Sequence, residues 1–100
     1  MEDKICCSMR VKHRSEEEHR ALTNRLSRIE GQVRGVKKMV DGDAYCADIL
    51  IQVSAVQSAL DAFSRELLSD HIHTCVADDI RSGKDGAVDE LVALLQRLMK

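Results

Sequence analysis

Apolar residues recur along this chain with the period of a helix, in three separate runs. In the first, Leu22, Leu26, Ile29, Val33, Val36 and Val40 are spaced 4, 3, 4, 3 and 4, the seam of a helix packed along another helix. Ser15 predicts its start, because it can cap a first turn made of Glu16, Glu17 and Glu18, with Glu18 at the capping-box position. Asp41-Gly42-Asp43 stops the run near Val40 and supplies a short connection.

The second run is much longer, from Ala44 or Tyr45 to Arg81, where Ser82-Gly83 ends it. Roughly 37 residues make a rod of about 55 Å. A compact monomer of this length has a radius of gyration near ~13 Å, so the rod overhangs anything the remaining chain can cover. Burial must come from another subunit. Ile49, Val56, Phe63 and Leu67 form the stripe for the chain's own first helix, while Leu50, Val53, Leu60 and Leu68 occupy the neighbouring face. A short third helix is predicted from Ala87 to Met99, with Val88, Leu91, Leu95 and Leu98 inward. The expectation is thus an all-α, three-helix subunit over residues 15–100, preceded by a polar arm at 1–14 that has no clear periodicity and is expected to be mobile without a ligand or partner.

Composition supports that picture: no proline, no tryptophan and only two aromatic residues leave an aliphatic helical core. A net charge of −2 excludes a generally basic protein. No segment approaches the roughly 18 to 20 uninterrupted apolar residues of a membrane span, and no signal-peptide stretch follows Met1 to Lys4. A cytoplasmic placement is expected. In a reducing compartment Cys6, Cys7, Cys46 and Cys75 are better candidates for ligation or redox sensing than for structural disulfides.

Cys46, His71 and Cys75 carry the chemistry. At about 100° per residue His71 lies roughly 20° to one side of Cys46 and Cys75 roughly 20° to the other, so all three share one helix face. The rise between Cys46 and His71 is nevertheless roughly 37 Å, too far for one metal ion. An antiparallel second copy removes the difficulty: Cys46 of one chain meets His71 and Cys75 of the other, twice per dimer, with the two-fold axis near Leu60. Two thiolates and one imidazole suit a low-coordinate soft cation such as Cu(I) and lack the further N/O ligands that Ni(II) or Co(II) favours. A lone cysteine on a helical seam is commonly just a small apolar residue. Three ligand-type residues on one face reverse that balance. His73 is two positions from both His71 and Cys75 and is expected to be a surface histidine.

The stretch Arg25-Leu26-Ser27-Arg28-Ile29-Glu30-Gly31-Gln32-Val33-Arg34-Gly35 resembles the signature of the copper-sensing operon repressor (CsoR) family. So do Asp43-Ala44-Tyr45-Cys46-Ala47-Asp48-Ile49-Leu50 and Asp70-His71-Ile72-His73-Thr74-Cys75-Val76, and together the likeness covers residues 20–99. It implies three-helix subunits that pair antiparallel, assemble further into tetramers, bind operator DNA when ligand-free and release it when an inducer binds. For the copper(I) branch it implies Cys46, His71 and Cys75 as ligands, with Tyr45 and Glu90 in the outer shell. Nickel and cobalt sensors of the family have a further His at the Cys75 position and one near the N-terminus; formaldehyde sensors lack the second Cys, and persulfide sensors lack the His. Cys6, Cys7 and His13 depart from the simplest copper pattern, either as an auxiliary metal or thiol site or as an exposed reactive arm.

Charge is distributed unevenly. Residues 10–38 carry nine Lys or Arg against four Glu, a balance of +5, whereas residues 41–100 carry five against eleven, or −6. A basic first helix repeated on one face of an oligomer can track phosphates, although charge alone fits a solvated helix as well. The resemblance points to Arg25, Arg28 and Arg34 as DNA contacts, and Gln57 stands where many relatives have an Arg. Two other classes remain: a thiol-based, persulfide- or electrophile-responsive repressor using Cys46 and a resolving cysteine, and a thiol enzyme pairing Cys46 with His71, for which no oxyanion site or pocket is evident. No enzymatic activity is expected.

Overall fold

The computed structural model describes residues 14–99, and every regular element among them is helical. Helix α1 spans Glu16–Asp41 and begins as its sequence dictates. The Ser15 hydroxyl accepts from the Glu18 amide at 3.2 Å and the Glu18 carboxylate accepts from the Ser15 amide at 3.0 Å, which satisfies two amides that a helix start otherwise leaves open. At its other end the Ala44 amide donates to the Met39 carbonyl (2.9 Å) and the Asp43 amide to the Val40 carbonyl (3.1 Å), the two bonds of a Schellman closure. The left-handed residue of that closure is Asp43, at φ 55, and not its neighbour Gly42, at φ −91.

Helix α2 spans Cys46–His71 and continues into a π-turn, Ile72–Val76, and a short helix α3, Ala77–Arg81. A second Schellman closure ends the run: Gly83, at φ 77, donates to Ile80 (3.1 Å) and Lys84 donates to Asp79 (3.0 Å). Gly86, at φ 87, then turns the chain into α4, Ala87–Leu98. The three predicted helical runs are therefore present, within a residue or two at each end.

The π-turn departs from the single regular helix expected there. His73 Nδ1 donates to the Ser69 carbonyl at 2.8 Å and the Thr74 hydroxyl to the Asp70 carbonyl at 2.6 Å. Such side-chain bonds to the carbonyl four residues back compete with the regular ladder and open a helix locally. His73 is exposed, as its phase suggests, yet its ring lies against its own helix.

Two compact units are present among the described residues. In residues 14–66, Ile29 is buried, with Leu22, Val36 and Met39 of α1 and Ile49, Val53, Val56 and Phe63 of α2 half-buried. In residues 67–99, α4 packs on the π-turn and α3, burying Cys75, Val76 and Ala87. The inward face of α4 is Ala87, Leu91, Leu94 and Leu95; Val88 and Leu98, expected inside, are 55% and 52% exposed. Only four described residues are buried, while Leu26, Val33, Val40, Leu50, Ile51 and Leu60 are among twelve large apolar side chains left exposed. The described residues thus build little core and leave long apolar faces uncovered. The run Cys46–Arg81 is also, by length and mean hydropathy, apolar enough to cross a membrane. The expectation of no such segment counted uninterrupted apolar residues, whereas here scattered Ser and Gln are averaged among many Ala, Val, Ile and Leu. A helix buried between soluble subunits has the same composition.

Candidate metal-sensing site

Cys46 is the first residue of α2, exposed and a free thiol. The carbonyl of Tyr45 accepts the amides of Asp48 (3.0 Å) and Ile49 (3.2 Å), starting the helix, while its side chain stands in solvent. His71 closes the same helix and is exposed. Cys75 lies within the π-turn, 5% exposed, with the Thr74 hydroxyl 3.8 Å from its sulfur. It is disulfide-bonded, at a position where ligation or redox sensing was expected ahead of a structural disulfide. Glu90 is exposed in the first turn of α4, where a carboxylate complements the helix N-terminus. Cys6, Cys7 and His13 lie outside the described residues.

Among the described residues no three His, Cys, Asp or Glu side chains converge to hold a metal ion. Cys46, His71 and Cys75 therefore form no closed site among the described residues. Donor chemistry still fits a soft metal: an accessible thiol, an accessible imidazole and, once reduced, a second thiol beside an otherwise apolar interior.

Residues 18–97 match the family of metal-sensitive transcriptional repressors. The chain belongs to that family. It is 51% identical, over 92 residues and 90% of each chain, to the copper-sensing transcriptional repressor CsoR of Bacillus subtilis (strain 168). Among solved structures, the copper-sensing repressor CsoR with Cu(I) from Geobacillus thermodenitrificans NG80-2 is similar at a TM-score of 0.84 and 45% identity, covering 88% of this chain and 93% of that one. The nickel-responsive transcriptional regulator InrS is also similar, at a TM-score of 0.69 and 42% identity over 84% and 92% of the two chains. A similar fold thus occurs in a copper-sensing repressor and in a nickel-responsive regulator, and the donor set has to discriminate between the metals.

A repressor also needs a surface for DNA, and the three arginines singled out in the sequence are placed differently from one another on α1. At about 100° per residue Arg25 and Arg28 are roughly 60° apart, whereas Arg34 is roughly 180° from Arg25. Arg34 shares its side with Arg20 and Lys38, all exposed. Arg25 is half-covered and its guanidinium meets the Glu66 carboxylate of α2 at 2.8 Å. Arg28 and Arg34 make no ion pair among the described residues. The Arg25–Glu66 pairing joins positions far apart in sequence and leaves no local signal.

Proposed function

We propose that this chain is a Cu(I)-responsive repressor that occupies operator DNA in its metal-free form and leaves it when metal binds between two subunits, so that copper-export or resistance genes are expressed. The observation that carries this reading is the placement of Cys46 and His71 at the two ends of α2 and of Cys75 in the π-turn that follows, without convergence among the described residues. An antiparallel second copy brings Cys46 of one subunit to His71 and Cys75 of the other and covers the exposed Leu50 and Leu60 at the same time. Dimers of this kind then associate into tetramers in the cytoplasm.

Cys46 and Cys75 act as thiolates, so Cys75 serves as a ligand only in its thiol form. His71 supplies the nitrogen, and Tyr45 and Glu90 orient it from the outer shell. Cys46, His71 and Cys75 would hold copper(I), a soft cation suited to two thiolates and an imidazole. Arg25, Arg28 and Arg34 contact phosphates. By linkage, the metal binds the DNA-free form more tightly, and DNA weakens metal binding by the same factor.

The likeness to a nickel-responsive regulator supports one alternative, in which the same scaffold senses Ni(II). Two sulfurs and a single nitrogen disfavour it, because Ni(II) calls for more N/O donors. Anaerobic titration of the reduced oligomer with Cu(I), followed by X-ray absorption, decides the point. One metal per protomer with two sulfurs and one nitrogen is expected, together with loss of that signature in Cys46→Ala, His71→Ala and Cys75→Ala. Equal Cu(I) affinity for free and DNA-bound protein overturns the regulatory mechanism; a DNA response that survives His71→Ala but not Cys46→Ala points to thiol chemistry instead.

A further inference from the structure

Glu66 is placed where it competes with DNA for one of the phosphate-binding arginines. The Arg25–Glu66 contact spans α1 and α2 at 2.8 Å, with the side chains 40% and 52% exposed. A charge-assisted bond of this length occupies part of the guanidinium fork that would otherwise grip a phosphate, and the adjacent carboxylate repels one. Both groups remain open to solvent, so an incoming phosphate has access to the pair. Arg28 and Arg34, on the same helix, carry no such partner among the described residues. We propose that the Arg25–Glu66 pair is a self-inhibitory contact: Glu66 holds Arg25 in the free repressor, DNA displaces it, and the exchange lowers affinity for any duplex.

The inference rests on Arg25 being a DNA contact, and the experiment separates the two. Exposed ion pairs are weak, so releasing Arg25 is worth about 1.5- to 5-fold in affinity per engaged protomer. Phosphate contacts are sequence-independent and salt-dependent, so a fluorescein-labelled mixed-sequence duplex at low salt is a sufficient probe. Full-length, reduced, metal-free protein is titrated by fluorescence anisotropy across a salt series, with far-UV circular dichroism and sedimentation checking that each variant keeps its fold and assembly. Glu66→Gln is expected to tighten binding by the stated factor. Glu66→Asp, which keeps the charge but withdraws it by one methylene, is expected to give part of that gain and serves if the first variant folds poorly. Arg25→Gln is expected to weaken binding and reduce the salt slope by about 1 per engaged protomer. In the double variant Glu66→Gln should bring no gain.

An equal gain in the Arg25→Gln background shows a general charge effect and overturns the self-inhibitory contact. Weaker binding by Glu66→Gln overturns it too, since Glu66 then holds Arg25 in place for phosphate. If Arg25→Gln weakens binding while neither Glu66 variant tightens it, the DNA contact stands and the inhibition falls. If Arg25→Gln leaves affinity and salt slope unchanged, both fall.

Discussion

Leu60 lies near the middle of the Cys46–Arg81 run and is 43% exposed in the single chain. An antiparallel pair that joins Cys46 to His71 and Cys75 of a second copy places its two-fold axis beside this residue, so each dimer buries Leu60 twice. Burying a whole leucine side chain is worth about 1.5 to 3 kcal/mol. The 43% still open then contributes about 0.6 to 1.3 kcal/mol per side chain, or about 1.3 to 2.6 kcal/mol per dimer. At about 1.4 kcal/mol per decade, Leu60→Ala is expected to raise the dimer dissociation constant by up to roughly 10- to 70-fold. Leu60→Asp should exceed this, because it also sets two like charges across the axis. Sedimentation equilibrium over a dilution series, in reducing buffer, reads the constant directly, and circular dichroism reports whether each chain remains helical. Unchanged association of a fully helical Leu60→Asp protein refutes the antiparallel register and the shared metal site with it.

Backbone features lead to two further expectations, both measured by urea denaturation at fixed subunit concentration because stability and assembly are linked. Ser15→Ala removes one half of the capping box and should cost about 1 kcal/mol. Gly83→Ala forces an alanine to φ 77 and should cost about 1 kcal/mol, whereas Asp43→Gly should change stability by less than about 0.5 kcal/mol, since relief of a left-handed aspartate is offset by glycine's greater freedom when unfolded. A large loss in Asp43→Gly, or none in Gly83→Ala, contradicts this account of the two helix ends.

The elements were legible because their boundaries are written in local chemistry. Ser15 with Glu18 marks a start, and Gly83 marks a stop, through hydrogen bonds that involve only near neighbours. The seam of α1 was legible as a seam but not as two halves: Ile29 and Val36 are covered in the single chain, while Leu26, Val33 and Val40 stay open. Periodicity reports that a side chain is apolar, not which neighbour covers it. The same ambiguity misassigned Val88 and Leu98 on α4, where the wide turn at Ile72–Val76 and the packing of α4 upon it favour Leu94 instead. That turn was hidden because His73 and Thr74 look like ordinary helix-surface residues; their bonds to Ser69 and Asp70 depend on rotamers that no spacing rule contains. Of the candidate site, the places of Cys46 and His71 at the two ends of α2 were readable. The burial of Cys75 and the capture of Arg25 by Glu66 were not, since each depends on how elements apart in sequence pack.

An unbroken helix from Cys46 to His71 makes α2 a ruler as well as a scaffold. Inserting one residue anywhere between its ends rotates everything beyond by about 100°, so Cys46 would leave the face of His71 and the apolar stripe would be cut at the same point. Inserting seven shifts the phase by only about 20°. Substitutions along the solvent side should therefore be absorbed freely, while changes of length are excluded except in near-whole heptads, and every such change would be felt twice in a symmetric pair.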